Sequence, residues 1–514
     1  MVNRRGFLKN LSAGGAGAIL PSRLFASSPS RTLLRYPYIQ DVRGTSAVIL
    51  WTTLEDGAGL VVFTRDGKEY FYAPAKKRYF PTDETRLPNP FYQYRADLTN
   101  LLPDSNYQCQ VLMDDLNLVE KDAVYFHTRP AGPFRFLAYG DSGMGTDGQL
   151  EVARLMGREA VDLVIHTGDI AYMNGTYEEF ETRHFKYYWD QMRHVPYYPS
   201  FGNHEYYTDG GNPCLAVHAV PWELVPEEDR GRYYSFDWGN VHFIALDTNL
   251  PLEKATTDIR TGKMLDWLES DLQSTSQFWR IPFFHHPPFA TGPNVNDPHS
   301  ILVRRSVVPI LDRHEVEAVF DGHEHSYQRS RPIRNNSLAD AGVGTVYITT
   351  GGGGAWLYRV DPSALLATGE SCYHYVRAEV NGYCMTLETI RSDGKIIDRA
   401  VLEPKPTLSS ITRLSSLSSE PNAASELGDP IRIHGRHLAA MESAATAAPL
   451  PTRLSEVVVD RKGQALGLWK VSSREIIAVL PFGTTGDVEI RVTTPNGSAT
   501  AVVEIPRRPG TRRR

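Results

Sequence analysis

The sequence predicts a multidomain protein in which a central α/β unit sits between two small β-sandwiches. Three observations lead there. The chain has 514 residues, more than one hydrophobic core serves, and its length suggests roughly three domains. Between Phe134 and Glu403, apolar strand-like runs alternate with stretches of helical periodicity, the pattern of an α/β domain. On either side the runs are short, β-rich and separated by turn residues, the pattern of sandwiches. The boundaries fall at 31–129, 133–404 and 405–506, with residues 1–28 in front and a basic tail, 507–514, behind.

Residues 1–28 have the form of an export signal. Arg4 and Arg5 precede Phe7, Leu8 and Lys9, and a short, mildly apolar, glycine-rich stretch follows. That stretch is too short to make a good membrane span, so no stable membrane insertion is expected. The paired arginines resemble a bacterial twin-arginine signal, which implies export of a folded protein to the periplasm or the medium, with cleavage near Ala26–Ser28. In 31–129, "NYQCQVLM" alternates as a strand does. "LTNLLPDSNYQCQV" leads from leucine through proline to tyrosine and resembles the corresponding turn of fibronectin type III domains, which makes Trp51 of "SAVILWTT" a core residue.

The central unit carries the strand-like runs "FRFLAY", "VDLVIHT", "VHFIAL" and "VEAVF". Val152, Leu155, Met156 and Ala160 fall at helical spacing, and "VRRSVVPILDRHE" is a second helix with a kink expected at Pro309. The unit closes in antiparallel strands that turn at Asn381–Gly382 and Asp393–Gly394. Past a Ser- and Pro-rich stretch, "DPIRIHG", "REIIAVLP" and "GDVEIRVTTPNGSATAVVEI" resemble the immunoglobulin-like modules of plexins, transcription factors and bacterial secreted enzymes. The net charge of −6 gives no reason to expect nucleic-acid binding. Cys109, Cys214, Cys372 and Cys384 are too few for a disulfide scaffold and lack CxxC spacing. Cys372 and Cys384 flank the 381–382 turn and could pair in an oxidising compartment, but no disulfide is predicted.

The chemistry falls at strand ends. "FLAYGDSG" supplies Asp141, "LVIHTGDIAY" supplies Asp169 and Tyr172, and "YYPSFGNHE" supplies Asn203, His204 and Glu205. "IPFFHHPP" supplies His285 and His286, and "VEAVFDGHEH" supplies His323 and His325. Taken singly, an Asp after a strand is ordinarily a cap or turn former, and an HxH pair can be two exposed histidines. Together, five apolar runs ending in oxygen or nitrogen donors match a site beyond the carboxyl ends of strands.

This order of motifs resembles the calcineurin-like metallophosphoesterases. Many members begin Asp-x-His, whereas here the first motif is "DSG", and Tyr172 follows Asp169 in "GDIAY" instead. That exchange is similar to the purple acid phosphatases, as is a fibronectin-like domain in front. The resemblance implies a four-layer αββα fold and a dinuclear centre of Fe(III) plus a divalent Fe, Zn or Mn ion. It implies that Asp141, Asp169, Tyr172 and His325 hold the first metal. Asp169, Asn203, His285 and His323 would hold the second, with Asp169 bridging and His286 standing beside the ligands. Carboxylate and phenolate suit Fe(III), and imidazole and amide oxygen suit the divalent ion. His204 is then free to act on the phosphate or the leaving oxygen, Glu205 to orient His204, and His299 of "NDPHS" to serve as a second such histidine. Gly351–Gly354 lacks the Lys-Ser/Thr of a phosphate-binding loop and is expected to let backbone pass close to the site. "YEEFETRHFKYYWD" is expected to be a helix lining the cleft, with His184 a weak candidate.

The function this implies is an exported acid phosphatase that hydrolyses phosphate monoesters, using hydroxide generated between two metals about 3.5–4 Å apart. Its partners would be small phosphorylated substrates. A phosphodiesterase on the same site is the alternative within enzymes. The alternative outside them is a cell-surface binding protein with a relict site, making contact through its flanking β domains.

Overall fold

The computed structural model describes residues 31–120, 123–250, 262–414 and 428–506. The expected export signal and basic tail lie outside the described residues. The first segment is two facing sheets. One holds Leu33–Gln40, Ser46–Thr53, Phe91–Thr99 and Lys76–Phe80, and the other is built on Gly59–Thr64 and Asn106–Met113. Trp51 is fully buried between them and stacks on Tyr94 at 5.2 Å. The Tyr107 hydroxyl accepts the Leu102 N–H at 2.8 Å, so the tyrosine fastens the Leu-Pro turn that announces it in the sequence.

The central unit is four layers deep. A six-stranded sheet runs in the order Tyr197–Pro199, Leu163–His166, Phe134–Tyr139, His374–Asn381, Cys384–Arg391, Ile396–Leu402. A seven-stranded sheet has Val241–Ala245, Trp279–Phe283, Ala318–Asp321 and Val346–Thr350 as successive parallel neighbours. The sheets face each other through large side chains, with Phe136 edge-on to Phe243 and Phe320 at 5.2 and 5.7 Å. On the outer face of the first sheet, Val152 and Met156 of helix Asp147–Met156 pack on Leu137, Tyr139 and Val164. On the outer face of the second, Leu268 and Leu272 of helix Lys263–Ser274 pack with Ile244 and Val319. These faces are what the 3.6-residue and 2-residue periodicities of the sequence dictate.

Two local expectations change. Helix Asp147–Met156 stops at its Gly157 cap, so Ala160 falls beyond it. At Pro309 the helix does not simply bend. The turns before it, Val303–Val307, widen to π-helix and an α-helix resumes at Val308–Arg313, because proline has no N–H to return to the preceding turn. The closing strands turn at residues 381–382 and 393–394 as expected, with Asn381 opposite Cys384. All four cysteines are free thiols.

The last segment pairs a sheet on Asp429–Arg436 and Glu475–Leu480 with one on the long hairpin Gly486–Thr494 and Gly497–Ile505. Both flanking segments are docked on the central unit. Arg35 lies over Phe185 and ion-pairs with Glu181, and the Tyr38 hydroxyl donates to the Val217 carbonyl at 2.7 Å. At the other end His437 meets Glu317 at 2.6 Å, and Glu317 also pairs with Arg280, all three buried. No helix among the described residues is long and apolar enough to cross a membrane.

Candidate metal centre

Five parallel strands end on one side of the double sheet, and the loops after them carry the predicted donors. Asp141 follows Phe134–Tyr139, Asp169 follows Leu163–His166, and Asn203 follows Tyr197–Pro199. His285 follows Trp279–Phe283, and His323 follows Ala318–Asp321. Asp141, Asp169 and His323 all sit at positive φ (55°, 55° and 66°), where residues with a Cβ are uncommon. Each turns its side chain back over the strand ends. Glycine clears the space between these loops: a Cβ on Gly202 would lie 2.1 Å from Asp169 Oδ1, and one on Gly322 would lie 2.6 Å from Asp141 Oδ2.

The donors fall into two groups. In one, the Tyr172 hydroxyl lies 3.2 Å from Asp141 Oδ1 and 3.1 Å from His325 Nε2, and His325 Nε2 lies 3.4 Å from Asp141 Oδ1. In the other, His285 Nε2 lies 3.1 Å from Asn203 Oδ1, 3.1 Å from His323 Nδ1 and 3.4 Å from Asp169 Oδ2. Such separations suit atoms arranged around a common cation at about 2.0–2.2 Å. Backbone carbonyls fix the imidazoles. His285 Nδ1 donates to Thr167 O at 2.9 Å and His325 Nδ1 donates to Trp356 O at 2.6 Å, which leaves each Nε2 as a lone pair aimed inward.

The electrostatics also call for cations. Asp141 and Asp169 are buried carboxylates, and uncompensated buried charge is costly. Burial opposes a proton on His285, but the charges of Asp169 and Asp141 outweigh it and push the ring up to about 10, so without a cation Nε2 carries a proton and a bound metal would take that proton's place. Burial raises the Tyr172 phenol well above its ordinary range, and Asp169 and Asp141 add to that, so it ionises only against a strong positive charge. Burial and the charge of His285 hold His323 down at about 4, leaving it a neutral ligand.

Around these groups the structure places the other predicted residues. His204 stands beside Tyr172 at 4.3 Å between rings. Its Nδ1 donates to Met173 O at 2.6 Å and its Nε2 lies 3.8 Å from Asp169 Oδ2. His286 stands beside the ligands: its Nδ1 pairs with the Thr248 hydroxyl at 2.7 Å, its ring stacks on His299 at 4.6 Å, and it brings a donor atom within 4.8 Å of those of His285 and His323. The His286 and His299 planes are 20° apart, and with Asp297 the two rings form a further group of donor atoms within 4.8 Å of one another. Gly353 donates to Gly140 O at 2.9 Å, and a Cβ on Gly351 would lie 2.9 Å from Asp141 Oδ2, so the glycine run does pass beside the site.

Two expectations are corrected. Glu205 does not touch the His204 ring. Its buried carboxylate accepts the N–H groups of Asp169, Ile170, Ala171 and Gly202 at 2.9, 2.8, 3.1 and 2.8 Å, tying two donor loops together. His184 is not in the cleft: it is buried against Phe185 and Tyr188 on the outer face of the sheet, although the neighbouring Arg183 does reach Tyr172 O at 2.7 Å. Sequence reasoning missed Glu324, Tyr358 and the two carbonyls. Glu324 accepts the Asn294 N–H at 2.6 Å and so grips the loop that leads to His299, while Tyr358 stacks on His325 at 4.2 Å. The letter between the two histidines of "GHEH" is the only trace Glu324 leaves in the sequence.

Comparison with known proteins agrees with this geometry. Residues 134–327 match the model of the calcineurin-like phosphoesterase family. An uncharacterized protein of Mycobacterium tuberculosis is 27% identical over 309 residues, which cover 50% of this chain and 57% of that protein. The chain therefore spans just over half the length of that curated relative. Human acid phosphatase type 7 is 25% identical over 411 residues, covering 73% of this chain and 90% of the relative. Among solved structures, purple acid phosphatase PPD1 from yellow lupin seeds superposes with a TM-score of 0.65 at 21% identity, covering 73% of this chain and 75% of that one, a likeness of fold. Family match, relatives and fold agree with the tyrosine-bearing donor set: residues 134–327 match the calcineurin-like phosphoesterase family, and the chain is similar to purple acid phosphatases.

Proposed function

We propose that this chain is an exported dimetal phosphatase that hydrolyses phosphate monoesters. The observation that carries the reading is the pair of donor groups on either side of Asp169, with imidazole lone pairs fixed inward by backbone carbonyls. Asp141, Tyr172 and His325, with Asp169, would hold Fe(III). Asn203, His285 and His323, with Asp169, would hold a divalent Fe, Zn or Mn ion. What these cations supply when bound is neutralisation of the phosphate oxygens and acidification of a water.

The chain's own groups do the rest. Asp169 lies between the two donor groups and can serve both. Glu205 holds the loops of Asp169 and Asn203 in register, so the donors need not be gathered when substrate arrives. With Nδ1 committed to the Met173 carbonyl, His204 has Nε2 left to carry a proton to the departing oxygen. His299, stacked on His286 at the edge of the site, is the second candidate for that role. Export through the twin-arginine route rests on Arg4 and Arg5, and suits a protein that takes up its metals before crossing the membrane.

The test is metal analysis of the purified chain with turnover of an alkyl phosphate, nitrophenyl phosphate and a phosphodiester. Two bound metals and faster monoester turnover are expected. His204→Ala should keep both metals and lose about 10²–10⁴-fold on the alkyl ester, less on the nitrophenyl ester, whose leaving group needs little protonation. No metal and no turnover would leave the relict-site reading standing instead.

A further inference from the structure

We infer that the leaving group of the natural substrate carries a planar ring, and that Tyr207 receives it. The inference rests on the phosphatase reading above. A continuous series of ring contacts borders the donor groups. Tyr207 meets His204 edge-on at 5.1 Å, His204 meets Tyr172 at 4.3 Å, and Tyr172 meets His325 at 6.0 Å. The inner rings of the series are occupied, Tyr172 by the donors and His325 by Tyr358.

The outer end is not: Tyr207 is 62% exposed. Exposure of one ring is ordinary on a protein surface; what sets Tyr207 apart is its place. Its ring packs on His204, and its hydroxyl takes a long contact of 3.4 Å from Asn203 Nδ2, so the ring stands beside a candidate metal ligand.

The position of Tyr207 ties it to the departing half of the ester. His204 is the group assigned to the leaving oxygen, and Tyr207 packs against His204 from the solvent side. Whatever leaves past His204 passes over the Tyr207 ring. A flat aryl or nucleobase-bearing group gains a stacking contact there that an aliphatic group of equal size does not.

The experiment compares benzyl phosphate with cyclohexylmethyl phosphate on the metal-loaded full chain. Both esters release a primary alcohol from the same carbon framework, so flatness is what differs. The wild type should favour the benzyl ester in kcat/KM. Tyr207→Leu should lower that ratio about 2–12-fold, the range for one lost aromatic pair. Tyr207→Phe should restore the ratio, which separates stacking from any effect of the hydroxyl on Asn203. Equal kcat/KM for the two esters in the wild type, or an unchanged ratio in Tyr207→Leu, would overturn the inference and leave the phosphatase reading intact. No turnover of either ester with both metals bound would overturn that reading and this inference with it.

Discussion

Replacing Glu205 by glutamine tests whether this residue builds the centre or serves His204. Each oxygen of the carboxylate accepts two backbone N–H groups: Oε1 takes Ile170 and Ala171, and Oε2 takes Asp169 and Gly202. An amide keeps one accepting oxygen and turns an NH₂ toward the other pair, so two bonds are lost and two donors face a donor. Buried hydrogen bonds to a charged group contribute about 1.5–3 kcal/mol each, which gives about 3–6 kcal/mol before the loops relax. The loops that move carry Asp169 and Asn203, so metal affinity should fall with stability, by about 10–100-fold. The assay is chelator competition for the bound metals, with denaturant unfolding followed by fluorescence on the same preparation. A Glu205→Gln protein with wild-type metal affinity and unfolding midpoint, impaired only on esters that need a strong acid, would refute the clamp and return Glu205 to an orienting role at His204.

Three further outcomes follow from the same geometry. Asp169→Ala should remove both metals, because its carboxylate lies between the two donor groups; full retention of one metal in the variant, by elemental analysis, contradicts a bridge. The oxidised protein should show a visible absorption band that Tyr172→Phe abolishes, since a phenolate-to-Fe(III) transition needs that oxygen; a colourless wild type containing only zinc contradicts the iron assignment. Far from the site, His242 lies between Asp237 and Asp271 at 2.7 Å from each, with Arg129 4.0 Å from Asp237. Burial lowers its pKa, but the two carboxylates outweigh that and raise it to about 9. The stabilisation is therefore complete below the unfolded value near 6.5 and lost as pH rises through about 9, at most about 3 kcal/mol. Melting temperatures taken from pH 6 to pH 10 should fall more steeply for the wild type than for His242→Gln.

The strand-end donors were legible because each lies directly after an apolar run, and strand ends converge in space whatever their spacing along the chain. The alternation of strands and helices was legible because periodicity reports which face is buried, as at Val152 and Met156, whereas the four layers came only with the family resemblance. What stayed hidden depends on distance between loops. Glu205 reads as a neighbour of His204 in "GNHE", yet its carboxylate reaches back to residues 169–171, a contact no local pattern encodes. The carbonyls of Thr167 and Trp356 leave no letter at all, since any residue type supplies one. His184 was only a weak candidate in the sequence, and the aromatic neighbours around it show it to be core rather than cleft.

The Arg280–Glu317–His437 contact has a mechanical side. Arg280 stands near the start of the strand Trp279–Phe283, and His285 stands just past its end, about 17 Å away at roughly 3.3 Å per residue. One rigid rod therefore has its foot in the last domain and its tip among the donors. Cutting the chain near residue 405 would not unplug an accessory module: it would leave Arg280 and Glu317 facing water without His437 and loosen the rod at its foot. The last domain is thus placed as a keystone, and its removal is expected to show first as a blurred donor geometry.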